Sequence, residues 1–273
     1  MLQRLLAEPP FRLIAREIIK RSGRNTTTRA LWDASERPPY LLGLVRAATQ
    51  AVQQRVPHFC AVEFGVAGGR GLRILEREAA AVERDQGVQI SVVGFDAGAG
   101  LPAVTTGDYR DHPDYWHPGD FPMDVARLRA SLSPRTQLVL GDIRETLPRW
   151  IAQSQPAPVG FVSFDLDYYS STLAAFEIFA HPAKRMLRRV PCYFDDIIAF
   201  VAHQDAGELL AIRTFNAQHQ GAMTIDRWHG IRQGRPFDHP YLEQMFVAHD
   251  LEAISGTVLA RGARELALDQ DEP

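Results

Sequence analysis

The sequence lacks several features that mark particular classes of protein, such as many cysteines, long apolar runs or a strong net charge. Its 273 residues include two cysteines, Cys60 and Cys192, too few for the disulfide framework of a small secreted domain. No apolar run is long enough to cross a bilayer, and the first residues lack the apolar segment and cleavage site of a signal peptide. Neither sign of charge dominates, because the formal net charge is -3. We therefore expect free thiols, a cytoplasmic location, no stable membrane insertion and no nucleic-acid partner.

The composition is that of one globular α/β domain. Hydrophobic residues make up 45% of the chain and charged residues 23%, which is enough apolar material for a sizeable core. Apolar runs typical of buried strands alternate with segments of helical periodicity. No repeat, linker or low-complexity tract divides them. We predict a single domain over residues 1–273.

The first 57 residues form a predicted helical N-terminal extension. Residues 10–22 predict a helix that Gly23 would end, and one face of it carries the apolar residues Phe11, Ile14, Ile18 and Ile19. A second helix is expected to begin at the Pro38-Pro39 pair. A basic amphipathic helix is also typical of membrane-surface binding, but packing on the domain or on a second subunit is the favoured interpretation. We accordingly expect a homo-oligomer.

A glycine-rich turn follows the first predicted strand. Residues 59–64 form an apolar run that suits an inner parallel strand, and Glu63 lies near its end. The glycines of the turn let the backbone bend sharply and approach a ligand closely. The helix predicted over residues 70–86 points its N-terminus at that ligand. The predicted ligand-binding residues here are Glu63, Gly65, Val66, Ala67 and Gly69.

Two chemistries use such a turn, and the position of the acid separates them. Dinucleotide enzymes require G-x-G-x-x-G, whereas Ala67 occupies the place of the second glycine. Glu63 precedes the first glycine, where a carboxylate suits a cationic or amine-bearing ligand better than a diphosphate. The acid-x-Gly-x-x-x-Gly pattern resembles motif I of S-adenosylmethionine (SAM) methyltransferases, in which this loop holds the aminoacyl end of SAM. The alternative is an ordinary strand-to-helix turn of an α/β domain.

Acids also stand at the ends of the next two predicted strands. Asp96 follows the strand over residues 89–95, where one carboxylate can accept two hydrogen bonds from a ribose diol. Asp142 follows the strand over residues 137–140, a position that lies close to the adenine in a SAM site. Each acid could equally be a cap or turn residue. Ala97 and Ile143, which follow these acids, complete this part of the predicted cofactor site.

Paired acids end the two strands that follow. Asp165 and Asp167 follow residues 159–164, and Asp195 and Asp196 follow residues 190–194, with a helix predicted from Ser171 past Met186 between them. Parallel strands bring both pairs to the edge that carries the glycine turn. Clustered carboxylates raise one another's pKa unless a cation is present, and their oxygens are the ligands that Mg²⁺, Mn²⁺ or Ca²⁺ prefer. Asp165, Asp195 and Asp196 are the predicted metal ligands, with helix caps or a solvated cleft as the alternative.

Taken in order, these motifs resemble the macrocin O-methyltransferase family over about residues 59–200. The resemblance rests on the glycine turn, the paired acids, Tyr169 with Ser171-Thr172, Gly94-Phe95-Asp96 with Gly100-Leu101-Pro102, and Gly141 with Thr146-Leu147-Pro148. It implies a Rossmann-like class I methyltransferase fold, with a seven-stranded mostly parallel sheet and helices on both faces. It also implies SAM as methyl donor and a divalent cation, with Mg²⁺ favoured, that positions a substrate hydroxyl. Carried over by position, Glu63, Gly65, Asp96, Asp142 and Asp165 lie at SAM, and Asp165, Asp195 and Asp196 hold the metal.

The sequence departs from that family between the two acids of the fourth strand's end, where Leu166 stands in place of the usual glycine. The N-terminal region, the histidine-rich loop from Thr105 to Phe121 and the segment after Phe200 also differ from the family. The substrate-side loops are predicted over residues 97–122 and 197–240. The expected acceptor is therefore a small-molecule hydroxyl, on a sugar or another natural-product intermediate.

Methyl transfer to an alcohol needs a base, and the sequence offers several. Asp167 is the nearest candidate, Tyr168 is a weaker one because a phenol ordinarily titrates near pH 10, and His203 and His117 lie in flanking loops. The alternatives to a metal-dependent O-methyltransferase are a metal-independent O- or N-methyltransferase and a non-catalytic SAM-binding regulatory protein. An NAD-dependent dehydrogenase ranks last because of Ala67.

Overall fold

The computed structural model describes residues 10–103, 108–154 and 156–257. Residues 1–9 of the predicted extension and residues 104–107 of the predicted substrate-side loop lie outside the described residues. The strands are β1 (His58–Phe64), β2 (Gln89–Asp96), β3 (Thr136–Leu140), β4 (Val159–Phe164), β5 (Arg189–Phe194), β6 (Met223–Arg227) and β7 (Met245–Asp250). The helices are α1 (Phe11–Arg21), α2 (Thr26–Leu31), α3 (Pro38–Gln54), α4 (Arg70–Gln86), α5 (Val125–Ser131), α6 (Ile143–Ser154), α7 (Tyr169–Ala175), α8 (Glu177–Ala180), α9 (Gly207–Gln218) and α10 (Leu251–Ser255).

The strands form one seven-stranded sheet in the order β3-β2-β1-β4-β5-β7-β6. Strands β1 to β5 run parallel, and β7 is antiparallel to both of its neighbours. The chain reverses its strand order at β1, so β2 and β4 flank the first strand. In open sheets of this kind, ligands bind outside the carboxyl ends of the strands at such a switch point. The predicted fold class, a seven-stranded mostly parallel α/β sheet, is confirmed.

Four phenylalanines lie side by side across the carboxyl ends of the inner strands. Phe95 pairs with Phe64, Phe64 with Phe164, and Phe164 with Phe194 in the strand register. Their rings stack or tilt against one another, with 4.7 Å between the centroids of Phe164 and Phe194. The residues that follow them along the chain are Asp96, Gly65, Asp165 and Asp195. The apolar row therefore fixes the position of the polar row just beyond it.

The two faces of the sheet are covered by different sets of helices. Helix α3 packs on β4 and β5 and on helix α4, which itself contacts β2 and β1. Helices α6 to α9 pack on one another, and Phe176, Phe179 and Phe215 from α7 to α9 join the phenylalanine row. Because side chains alternate along a strand, Glu63 and its register partners Ser163 and Tyr193 face the other way, towards α3. Helix α3 therefore reaches the acid of the glycine turn.

The structure differs from the sequence prediction in two helices. The helix predicted from Ser171 past Met186 ends at Ala180, because His181 is extended (ψ 137°) before Pro182. Met186 instead forms a bridge with Val159. Helix α2 was not predicted, although Asn25 caps it by accepting a hydrogen bond from the Thr28 backbone N–H.

The regions predicted as an extension and as substrate-side loops have defined structure in the part of the chain that is described. Helices α1 to α3 precede β1, and residues 197–240 contain helix α9 and strand β6 as well as loops. Cys60 and Cys192 are buried and free, as expected. Within the described residues, no helix is both long and apolar enough to traverse a bilayer. The assignment of the loops to the substrate stays a prediction.

Candidate active site at the carboxyl edge of the sheet

The glycine turn is held in place by Asp96. Its Oδ2 accepts hydrogen bonds from the backbone N–H groups of Val66 (2.8 Å) and Ala67 (2.9 Å), and its Oδ1 accepts one from Gly98 (2.6 Å). Ala67 has φ 44°, a left-handed conformation that costs about 1–2 kcal/mol in an L-residue and that these hydrogen bonds help to offset. Asp96 therefore stabilises the turn. Its predicted hydrogen bonds to a ribose would use those lone pairs of the carboxylate that do not accept from the turn.

Gly65 brings the turn against the neighbouring strand end. It has φ 81°, and a Cβ atom placed on it would lie 1.8 Å from the carbonyl oxygen of Asp165. Gly69 is also left-handed, with φ 76°, and faces the side chain of Leu128. Position 65 therefore requires glycine, because any other residue would have both a strained positive φ and a Cβ atom that clashes with the Asp165 backbone. The predicted cofactor turn and the first predicted metal ligand are therefore in direct contact.

Asp142 lies at the end of β3, apart from the other acids. Its carboxylate is exposed and accepts hydrogen bonds from the backbone N–H (2.9 Å) and the Nε (3.0 Å) of Arg144. The Arg144 side chain lowers the pKa of Asp142 from its ordinary value. Ile143 begins helix α6 and Ala97 follows the end of β2, so both border the same edge. The predicted roles of these residues at the adenine and ribose stay predictions.

Glu63 is buried at the base of the turn, with 1% of its surface exposed. The Tyr40 hydroxyl donates a 2.5 Å hydrogen bond to its Oε1 and itself accepts one from Ser163 Oγ at 3.0 Å. The other oxygen, Oε2, is buried and has no hydrogen-bond partner in the described part of the chain. Burial raises the pKa of Glu63 to about 8, against the lowering effect of Tyr40 and Arg37. An unpaired buried carboxylate oxygen suits a ligand that brings a hydrogen-bond donor, such as an ammonium group.

Arg37 joins this acid to the acids of the next two strands. Its Nη1 donates to the Tyr40 hydroxyl at 2.8 Å and lies 3.6 Å from Oε1 of Glu63. Its Nη2 lies 3.4 Å from Oδ1 of Asp195 and 3.6 Å from Oδ2 of Asp165. Burial lowers the pKa of the guanidinium. Tyr40 and the surrounding carboxylates raise it by more than burial lowers it, so the net shift is upward. Arg37 is therefore a permanent positive charge at the centre of the site.

Asp165, Asp195 and Asp196 come together as predicted. Each offers a carboxylate oxygen, and these oxygens lie within 4.8 Å of one another. Burial, together with the neighbouring carboxylates, raises the pKa of Asp165 to about 7 and that of Asp196 to about 8. Tyr193 donates a 2.6 Å hydrogen bond to Asp195, which fixes one carboxylate of the group. A set of three carboxylates that repel one another fits a hard divalent cation, with water or substrate oxygens completing its shell.

Among the predicted bases, Asp167 adjoins this cluster. It is buried, has φ 60°, and its backbone N–H donates to Oδ2 of Asp196 at 3.1 Å. Burial and the charges of Asp165 and Asp195 raise its pKa to about 7. A carboxyl with a pKa near neutrality is suited to accept a proton from a substrate hydroxyl.

The other predicted bases are placed less favourably for that task. Tyr168 is fully buried, and its hydroxyl has no partner among the described residues. Burial raises its pKa to about 12. His203 is exposed and its ring lies 5.5 Å from that of the buried His112, while His117 is exposed beside Asp120. These residues remain candidates in rank behind Asp167.

Sequence reasoning missed Glu208, Arg37 and Tyr40. Glu208 is buried on α9, where its Oε2 accepts a hydrogen bond from the Asp196 backbone at 3.2 Å. Burial raises its pKa well above the usual range. In the sequence, Glu208 directly precedes an apolar run that starts at Leu209, and this pattern could have indicated that the acid is buried. No local pattern could have indicated the role of Arg37, because it lies 158 residues from Asp195 in the sequence.

No family model matches the sequence, and a search of curated proteins finds no match. Solved structures do match. The calicheamicin methyltransferase CalS11 has a TM-score of 0.52 and 22% identity, covering 91% of this chain and 89% of its own. The O-methyltransferase NovP has a TM-score of 0.51 and 14% identity, covering 78% of this chain and 79% of its own. The likeness establishes that the chain has the Rossmann-like α/β fold of these methyltransferases.

Proposed function

We propose that the protein is a SAM-dependent, divalent-metal-dependent O-methyltransferase that acts on a hydroxyl group of a small molecule. The observation that carries the proposal is the position of Arg37. It lies within 3.6 Å of Glu63, at the turn that would hold SAM, and of Asp165 and Asp195, in the cluster that would hold a cation. The methyl donor and the acceptor oxygen would thus meet across a few ångströms at one edge of the sheet.

The residues divide into roles along that edge. Glu63 would bind the ammonium group of SAM through its unpaired Oε2, and the turn from Gly65 to Gly69 would hold the same end of the cofactor. Asp165, Asp195 and Asp196 would hold the cation. When bound, SAM supplies an electrophilic methyl group, and the cation lowers the pKa of the acceptor hydroxyl and fixes its direction.

Asp167 takes the proton in this reaction. With SAM bound, a new bond would form between the acceptor oxygen and the methyl carbon, and the carbon–sulfur bond would break with its electron pair left on sulfur, which gives S-adenosylhomocysteine (SAH). The hydroxyl proton would pass to the carboxylate of Asp167, the predicted base that adjoins the three-carboxylate cluster. Holding the reactants in line supplies much of the remaining rate.

The solved structures support the acceptor class. CalS11 is a calicheamicin methyltransferase and NovP an O-methyltransferase. We therefore propose a natural-product intermediate, such as a sugar, as the acceptor of this chain. The macrocin O-methyltransferase type suggested by the motifs stays part of this proposal.

Binding experiments test the proposal before the acceptor is identified. By titration calorimetry, the purified protein is expected to bind SAH with a Kd on the order of micromolar, and to bind Mg²⁺. Asp196→Asn should abolish Mg²⁺ binding, whereas Asp205→Asn, a change at an exposed acid nearby, should leave it intact. Absence of SAH binding would contradict the methyltransferase proposal. Turnover that survives thorough chelation with EDTA would contradict the role of the metal.

The second candidate is a metal-independent methyltransferase, in which Arg37 takes over part of the charge compensation that a cation would otherwise provide. Its guanidinium already places one positive charge within 3.6 Å of Asp165 and Asp195, so part of the repulsion in the cluster is relieved without a cation. In that case SAH binds, Mg²⁺ produces no binding heat, and methyl transfer is insensitive to EDTA. The same titrations therefore decide between the two candidates.

A further inference from the structure

Arg37 is held in the site by contacts that leave it able to take another anion. Its guanidinium carries five N–H donors, and one of them makes a short hydrogen bond, to the Tyr40 hydroxyl at 2.8 Å. The carboxylates of Asp195, Asp165 and Glu63 lie 3.4, 3.6 and 3.6 Å away, at ion-pair distance. Nearly three-tenths of the Arg37 side chain is exposed.

A structural arginine of the same chain shows the contrast. The Nη2 of Arg29 lies 2.8 and 3.0 Å from the two oxygens of Glu78, which is itself 2% exposed. Short contacts to both oxygens of a buried acid are typical of an arginine whose partner is permanent. Arg37 has no such carboxylate partner among the described residues, although three acids surround it.

The tip of Arg37 lies at the cofactor end of the site. A Cβ atom placed on Gly71, in the first turn of α4, would lie 2.7 Å from Nη1 of Arg37 and 2.0 Å from Oε1 of Glu63. The guanidinium, the buried acid and the start of the helix therefore border the same space. Oε2 of Glu63, buried and unpaired, is a second and independent sign that a polar ligand belongs there.

We propose that Arg37 binds the carboxylate of the aminoacyl end of SAM while Glu63 binds the ammonium group of the same zwitterion. This inference rests on the proposed function. An acid and a guanidinium 3.6 Å apart present opposite charges at the spacing of one amino acid's charged groups. A planar guanidinium suits a carboxylate because it can donate two parallel hydrogen bonds. The helical extension would in this way contribute directly to cofactor recognition.

The test compares two ligands that differ by one carboxylate. SAH and decarboxylated SAH, which keeps the ammonium group, are titrated into wild type, Arg37→Gln and Arg37→Lys by calorimetry. Arg37→Gln is expected to weaken SAH binding by about 10- to 100-fold, the usual effect of losing a charge-assisted pair. Its affinity for decarboxylated SAH should fall much less than its affinity for SAH, because that ligand has no carboxylate to lose a partner. Arg37→Lys keeps the charge but loses the planar guanidinium, so its affinity for SAH should lie between those of wild type and Arg37→Gln.

The controls separate recognition from folding. Arg46→Gln changes an exposed arginine of the same helix α3 and should bind both ligands like wild type. Binding of decarboxylated SAH by Arg37→Gln shows that the site is still folded. Equal weakening of both ligands, or no weakening of SAH, overturns the inference while the proposed function stands. Failure of the wild type to bind SAH overturns the proposed function and the inference with it.

Discussion

At the scale of the residue, the burial of Glu63 predicts that cofactor binding depends on pH. Its carboxyl is 1% exposed, and burial raises its pKa to about 8, so at pH 7 the ligand-free protein mostly keeps the proton. A bound ammonium group favours the carboxylate and lowers this pKa. Under the proposed function, cofactor binding and deprotonation of Glu63 are therefore expected to be coupled.

SAH binding at pH 7 is expected to release up to about one proton from Glu63. Because the pKa falls on binding, affinity should rise as the pH increases from 6 towards 8 and level off above that. Calorimetry in two buffers of different ionisation enthalpy measures the proton count. In Glu63→Gln the Glu63 contribution should disappear and the affinity should be lower. Proton release that is the same in Glu63→Gln and wild type would contradict this assignment.

Asp167 is expected to carry the proton transfer. Asp167→Asn keeps the size of the side chain and removes its basicity, so kcat should fall by about 10²- to 10⁴-fold while the Kd of SAH changes little. Single-turnover methyl transfer to the identified acceptor measures the first quantity and calorimetry the second. Tyr168→Phe and His203→Ala test the remaining candidates in the same assay. If kcat falls by a comparable factor in either of these variants while Asp167→Asn stays active, that residue is the base and Asp167 is not.

At the scale of the element, two glycines of the glycine turn differ in the space around them. Gly65 combines φ 81° with an approach to the Asp165 carbonyl that leaves no room for a Cβ atom. Gly68, three residues later, is exposed and has open space around it. The same substitution at these two glycines therefore has different consequences.

Gly65→Ala is expected to destabilise the protein by about 2–4 kcal/mol and to abolish SAH binding, because a side chain there needs both a strained φ and a shift of β4. Urea unfolding of the ligand-free protein measures the stability. Gly68→Ala is the matched control and should stay within about 0.5 kcal/mol of wild type. Similar losses for both variants would show that the turn responds to any added methyl group, against the specific contact described here.

At the scale of the whole molecule, an apolar stripe on helix α1 is not covered by any residue that the structure describes. Phe11, Ile14 and Ile18 share one side of the helix, and Ile18 is 60% exposed. The helix is attached on another side, where Arg16 donates to the Ser35 carbonyl at 3.0 Å. An uncovered stripe of this kind supports the predicted homo-oligomer.

We expect the protein to be a dimer in solution through α1. The double substitution Ile14→Glu and Ile18→Glu should yield a monomer, because two charges cannot be buried in an apolar interface without partners. Light scattering after size exclusion measures the mass. Leu13→Glu, an exposed apolar residue off the stripe, is the control and should remain dimeric. A monomeric wild type would contradict the prediction.

Much of the fold followed from local pattern. The buried run of residues 159–164 and the helix over residues 70–86 match the structure because periodicity and flanking glycines are properties of a few neighbouring residues. The helix predicted past Met186 was wrong because Pro182 ends the helical path. The short helix α2 was overlooked although Asn25 marks its start.

The sequence by itself determined which acids end which strands. In a parallel sheet, residues such as Glu63, Asp165 and Asp195 must then reach one edge, since that follows from strand direction alone. Only the tertiary structure decided that Arg37 lies among them and that Oε2 of Glu63 is left without a partner. Those two facts depend on how α3 packs against the sheet, a contact between segments remote in sequence that no local pattern records.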